Sequence, residues 1–205
     1  MNNNCIDFKN LGYIIEDVPE ILLDSLKQEI NKKLDSYNKN LAGNIKKEFY
    51  LPKAIPIFNN YLMGLARKYD DNFGYFKNIT YCNNDAPLIL ENMWVNFQKK
   101  HEFNPVHVHK GIFSFVIWLQ VPYEIEYEKA NSPGKDGNHN LAGCFQFHFL
   151  NILGEFSELT LPVDRRFEGK ICFFPARLSH SVNPFYSSDD YRISIAGNIS
   201  LQTPK

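Results

Sequence analysis

The sequence predicts a mainly β protein built from short antiparallel strands, with a helical segment packed against them. Three observations predict it. From about Leu88 onward the chain runs as short β-branched and aromatic segments separated by Gly, Pro, Asn and Asp. Before that point two stretches repeat their apolar residues at helical spacing. No repeat at solenoid periods is present, so the strands must close on one another as a sandwich or barrel.

The first helical stretch runs from Pro19 to Leu34, with Leu22, Leu26, Ile30 and Leu34 on one face and Pro19 suited to a first turn. The second carries Phe58, Leu62, Leu65 and Tyr69 after Pro56, and the cluster Asp70-Asp71-Asn72 is expected to stop it. The predicted strands are Met93 to Gln98, Val106 to His109, Phe113 to Val121, Cys144 to Leu150, Ile171 to Pro175 and Arg192 to Ile199. Between Pro122 and Gly143 lies a polar stretch long enough to read as either a surface insertion or a lid. No clear linker separates the two parts, which predicts one domain over 1–205, helical over 1–85 and β-rich over 86–205.

The bulk properties exclude several classes. A chain of 205 residues can bury roughly 70% of the surface its unfolded form exposes. A formal net charge of -1 gives no general attraction to nucleic acid or an acidic membrane, so neither is expected as a partner. Cys5, Cys82, Cys144 and Cys172 form no C-x-x-C pair, and the start Met-Asn-Asn-Asn-Cys has neither a basic nor an apolar leader region. Ile112 to Val121, the longest apolar run, is too short to span a bilayer as a helix. A soluble protein of the reducing cytoplasm is the expectation.

The chemistry-bearing residues sit on predicted strands. In His107-Val108-His109 alternation puts both imidazoles on one face, where they could share a metal. His180, beside the start of another strand after Phe173-Phe174-Pro175, could supply a third nitrogen. Arg192 and Ser194 likewise share a face, and a guanidinium with a neighbouring hydroxyl suits a carboxylate. The turn-forming Ser187-Ser188-Asp189-Asp190 predicts that the His180 and Arg192 strands pair as a hairpin, which puts the two residues within ~10 Å along the strand. In Phe145-Gln146-Phe147-His148-Phe149 one face is apolar, and Gln146 and His148 either look into the mouth of the β-domain or lie on its outer sheet.

These residues carry a resemblance. Trp94-Val95-Asn96, Asn104-Pro105-Val106-His107-Val108-His109 and Ser114-Phe115-Val116-Ile117-Trp118-Leu119 resemble the first core strands of iron/2-oxoglutarate oxygenases of the phage and marine-bacterial type. Glu168 to Pro175, His180-Ser181-Val182 and Tyr191 to Asn198 resemble their closing strands, and Leu41-Ala42-Gly43-Asn44 is similar to the phage-type members. The resemblance implies a double-stranded β-helix (jelly roll), Fe(II) held by His107, His180 and a third group, and 2-oxoglutarate chelated to the metal. It also implies that Arg192 and Ser194 hold the distal carboxylate, that Asn96 lines the pocket, and that oxygen drives decarboxylation to succinate with oxidation of a substrate. One departure stands out, because the family pattern is His-x-Asp/Glu with a distal His. Here the second position is His109, and the competing carboxylate is Asp164.

Two other readings fit the same residues. One is a cupin-like three-histidine metalloenzyme without 2-oxoglutarate, which leaves Arg192-x-Ser194 unexplained. The other is a non-catalytic jelly-roll binding module, since the fold hosts all three.

Overall fold

The computed structural model describes residues 11–76, 79 and 87–202; Cys5 and Cys82 lie outside them. Among the described residues, ten strands form two antiparallel sheets. β1 (Ile14–Asp17), β2 (Glu48–Tyr50), β3 (Leu88–Gln98), β5 (Phe113–Gln120), β8 (Lys170–Pro175) and β10 (Arg192–Leu201) make a six-stranded sheet in the order β1-β8-β5-β10-β3-β2. β4 (Asn104–His107), β6 (Phe145–Leu150), β7 (Phe156–Leu161) and β9 (Ser179–Val182) make a four-stranded sheet in the order β4-β9-β6-β7. The chain crosses repeatedly between the sheets, the winding of a jelly roll or double-stranded β-helix. All the predicted strands are present, with ends shifted by a few residues.

Alternation along the central strands explains why two layers pack on the larger sheet. Phe113, Phe115 and Ile117 of β5, Ile171 and Phe173 of β8, and Ile195 and Ile199 of β10 join the core beneath the helices. The opposite faces supply Val116, Trp118, Cys172 and Phe174 to the core between the sheets. A strand buried on both faces reads as a continuous apolar run, as β5 does. Trp118, 3% exposed, is an inter-sheet core residue packed edge-on to Phe145 and Phe167.

The helices follow the spacing that predicts them. α1 (Glu20–Ile30) buries Leu26, and α2 (Ala54–Phe73) buries Phe58, Leu62, Leu65, Ala66 and Tyr69. The Asp70-Asp71-Asn72 cluster does not end α2. Gly74 does, at φ 61, donating its N–H to the Asp70 carbonyl in the left-handed cap that glycine adopts without Cβ strain. No helix of the described residues is long and apolar enough to cross a membrane.

The predicted hairpin between the His180 and Arg192 strands is not formed. β9 pairs with β4 and β6 in the smaller sheet, while β10 pairs with β3 and β5 in the larger one. The connecting residues explain the crossing. Asn183 donates its N–H to Cys144 O, Phe185 is fully buried and accepts from His101 N–H, and the amides of Tyr186 and Ser187 donate to Glu128. The segment is docked along its length instead of folding back as a tight turn.

The 122–143 stretch is not structureless. It contains α3 (Ile125–Ala130), and Tyr123, Ile125, Glu128 and Ser132 are all buried. Glu128 anchors the arm, its carboxylate accepting from Tyr186 N at 2.7 Å, Ser187 N at 3.0 Å and Ser187 Oγ.

Candidate metal centre

β3 and β10 run side by side with Arg192 opposite Gln98, Ser194 opposite Asn96, Ala196 opposite Trp94 and Asn198 opposite Asn92. Their inward faces are therefore polar where the inward faces of β5 and β8 are apolar. Polar side chains on a buried face cost free energy unless they are satisfied or serve a site. Here all of them but Arg192 line a cavity of about 480 Å³, within the usual range for small-molecule sites.

His107, His109 and His180 converge on the wall of this cavity, with one nitrogen of each lying within 4.8 Å of the others. His107 ends β4 opposite His180 on β9. His109 lies just beyond the strand, its N–H bonded to Ala176 O at 2.8 Å. The Nε2 atoms of His107 and His109 are 3.2 Å apart, as are those of His109 and His180. Two nitrogens ~2.1 Å from one ion lie ~3.0 Å apart at an octahedral angle and ~3.4 Å apart at a tetrahedral one. The observed spacing falls between these values.

The surroundings hold two of the rings in the tautomer that a metal would need. Nδ1 of His107 faces Pro105 O at 2.7 Å and Nδ1 of His180 faces Leu178 O at 2.8 Å. A carbonyl can only accept, so each Nδ1 carries the proton and each Nε2 turns a lone pair to the shared point. Burial lowers the pKa of all three, that of His109 to about 4, with the neighbouring imidazoles adding to the shift for His109 and His180. Neutral imidazoles with facing lone pairs fit a cation between them. His109 stacks on Trp94 with ring centroids 5.6 Å apart and is hydrogen-bonded to the Asn198 side chain. Asn198 is held in turn by Asn92 Oδ1, which accepts at 3.0 Å, and by Ser114 Oγ. His180 stacks on Phe145.

Asp164 is elsewhere. It is 1% exposed and caps the short helical turn at Arg165–Phe167, accepting from Arg166 N, Nε and Nη2 and from Ile125 N. Burial alone would raise its pKa, but these hydrogen bonds outweigh that and hold it below the usual carboxylate range.

Asn96 and Ser194 line the cavity, hydrogen-bonded to each other at 3.3 Å. Arg192 shares their face but is 2% exposed and has committed all five donors to protein. Gln98 Oε1 accepts from Nε and Nη2, Tyr123 Oη and Gly143 O accept from Nη1, and Asn183 O accepts from Nη2. None of these acceptors is charged. Gln146 and His148 lie on the outer face of the smaller sheet. There His148 is bonded to Glu158 Oε1 at 3.1 Å and Ser181 Oγ at 2.9 Å.

No curated protein matches the chain in sequence. In fold it is similar to AviO1 from Streptomyces viridochromogenes Tue57, at TM-score 0.55 and 12% identity over 94% of this chain and 91% of that one. A Pseudomonas putida prolyl-4-hydroxylase gives TM-score 0.54 at 12% identity, covering 93% of each chain. HygX from Streptomyces hygroscopicus, solved with nickel, 2-oxoglutarate and hygromycin B bound, gives 0.51 at 12% identity over 94% of this chain and 84% of that one. The profile of the family described as "Putative 2OG-Fe(II) oxygenase" matches residues 92–198, more than half of the sequence, from the cavity-lining face of β3 to Asn198 behind His109. The chain belongs to that 2OG-Fe(II) oxygenase family.

Proposed function

We propose that the protein is an iron(II)- and 2-oxoglutarate-dependent dioxygenase that hydroxylates its substrate with release of succinate and carbon dioxide. The convergence of three neutral imidazoles on one point of a buried cavity carries this reading, in a chain of this family. His107, His109 and His180 would hold the metal, with the position usually filled by a carboxylate taken by His109. A neutral ligand there leaves the site one charge more positive than the family pattern, which strengthens its hold on an anionic co-substrate. Iron(II), when bound, supplies the redox chemistry that couples oxygen to decarboxylation and substrate oxidation.

The remaining roles belong to the chain's own side chains. Arg192 would take the distal carboxylate of 2-oxoglutarate. It is a buried cation whose acceptors are all neutral, and a buried charge gains most from an opposite charge brought to it. Tyr123 Oη accepts from Arg192 and donates to Gly143 O, so it can turn its hydroxyl to the incoming carboxylate. Ser194 and Asn96 would add hydrogen bonds from the adjoining rungs of β10 and β3. Asn198 and Trp94 act through His109, fixing its ring. In HygX a similar fold binds a metal together with 2-oxoglutarate.

The test is iron-dependent release of succinate from 2-oxoglutarate, compared with His180→Ala. Release by the native chain that is lost in the variant is the expected result. Equal background release from both, with stoichiometric iron in the native chain, would refute the reading.

A further inference from the structure

Among the described residues, the buried side-chain polar atoms without a hydrogen-bond partner are Glu48 Oε1, Asn96 Oδ1 and Asn104 Oδ1. All three belong to residues that line the cavity holding the histidines. Buried polar atoms are normally satisfied, so three unsatisfied acceptors in one cavity define a demand for donors. The two amides could present either end, but a carboxylate can only accept once ionised, as Glu48, pushed up to about 7 by burial, is above that pH. Glu48 therefore sets the sign of the demand.

The backbone builds this locus. Glu48 opens β2 opposite Asn96, which lies opposite Ser194, so one rung crosses β2, β3 and β10. Asn38 Nδ2 bonds both Ile45 O at 2.7 Å and Glu48 Oε2 at 3.1 Å, tying down one carboxylate oxygen and leaving the other free. Gly43, in the stretch before β2, completes the wall. A Cβ there would lie 2.1 Å from Asn104 Oδ1 and 3.2 Å from Glu48 Oε1, so both acceptors pack close to the backbone at Gly43, an approach that only glycine allows.

The charges point the same way. Glu48 is 1% exposed and, among the described residues, pairs with no lysine or arginine, while Glu102 is close enough to repel it. Lys110 and Glu91 also line the cavity, but both are exposed. A neutral donor would leave the buried negative charge uncompensated; a protonated nitrogen would neutralise it.

We propose that Glu48, with Asn104 beside it, is the recognition site for a cationic nitrogen on the substrate, an ammonium or guanidinium group of a small molecule. The proposal rests on the oxygenase reading only in calling that molecule the substrate. The site lies in the same cavity as the histidines, so a cation seated at Glu48 presents the rest of its skeleton within the chamber they line.

The probes are n-butylammonium and n-butylguanidinium, with n-butanol as the neutral match, titrated calorimetrically into the full chain at pH 8 under anaerobic conditions. At least one cation should bind tenfold or more tightly than the alcohol. Glu48→Gln should abolish that preference, and Gly43→Ala should weaken the cations by at least tenfold. Equal binding of alcohol and cations, no binding of either cation, or an undiminished preference in Glu48→Gln would overturn the proposal. Should Glu48→Gln fail to fold, Gly43→Ala decides on the same criterion. The heat of probe binding needs neither iron nor 2-oxoglutarate, so failure here and failure of the oxygenase reading are separately visible.

Discussion

His109 stands where the sequence resemblance expects a carboxylate, and we propose it as the third metal ligand. Its Nε2 lies 3.2 Å from that of each neighbouring histidine, Trp94 stacks on its ring, and Asn198 fixes it. Asp164 is fully engaged as a helix cap. His109→Ala should therefore lose iron while His109→Asp retains it, and Asp164→Ala should keep iron but lose about 1 to 2 kcal/mol of stability with its cap. Iron content by elemental analysis checks all three. Loss of iron in Asp164→Ala with retention in His109→Ala would reverse the assignment. The three histidines were legible in the sequence because alternation puts His107 and His109 on one side and His180 follows a strand. Glu48, Gln98, Asn104 and Asn198 were not, since one polar residue on a strand is indistinguishable from a solvent-facing one until the second sheet is known to cover it.

Elements were more legible than their pairing. β5, β6 and β8 announce themselves by apolar runs or alternation, but β1 and β2 are edge strands of 4 and 3 residues. β7, Phe-Ser-Glu-Leu-Thr-Leu, carries too little apolar signal to stand out. The Ser187–Asp190 turn residues suggested a hairpin because local turn chemistry does not say which sheet receives the next strand. The real link, through buried Phe185, brings Asn183 O to Arg192. Arg192 thus ties Tyr123 and Gly143, at the two ends of the arm, to the cavity strand. Removing it should act on both. Arg192→Ala should weaken 2-oxoglutarate binding by on the order of 2 to 5 kcal/mol, with incomplete rescue by lysine, which cannot form the bidentate fork. It should also speed hydrogen exchange at Tyr123 and Gly143, whereas Ser194→Ala should leave exchange there unchanged. Unaltered affinity in folded Arg192→Ala would remove the residue from the co-substrate site.

At the scale of the molecule, the cavity imposes a cost on stability that depends on pH. Burial, helped by the nearby Glu102 charge, pushes the Glu48 carboxyl up to about 7, against a weaker lowering by Asn38. Below about pH 4.5 the group is protonated in both folded and unfolded chains and contributes nothing. Between about 4.5 and 7 the folded chain keeps a proton that the unfolded chain has released, so this contribution to stability falls as pH rises. Above 7 the loss is complete, up to roughly 3 kcal/mol. Chemical denaturation should find Glu48→Gln more stable than the native chain at pH 8 and equal to it at pH 4. The opposite ordering at pH 8 would mean that an unseen partner already satisfies the carboxylate.

On the proposed reading one cavity binds iron and 2-oxoglutarate together. Its most direct test is an anaerobic titration of the iron(II)-loaded chain with 2-oxoglutarate, following the visible metal-to-ligand charge-transfer absorption that chelation produces. The account predicts that this band rises to saturation in the native chain, needs far more 2-oxoglutarate in Arg192→Ala, and is absent in His180→Ala. Full iron loading without the band would contradict it and favour a three-histidine metalloenzyme without 2-oxoglutarate, and no iron binding at all would favour a binding module.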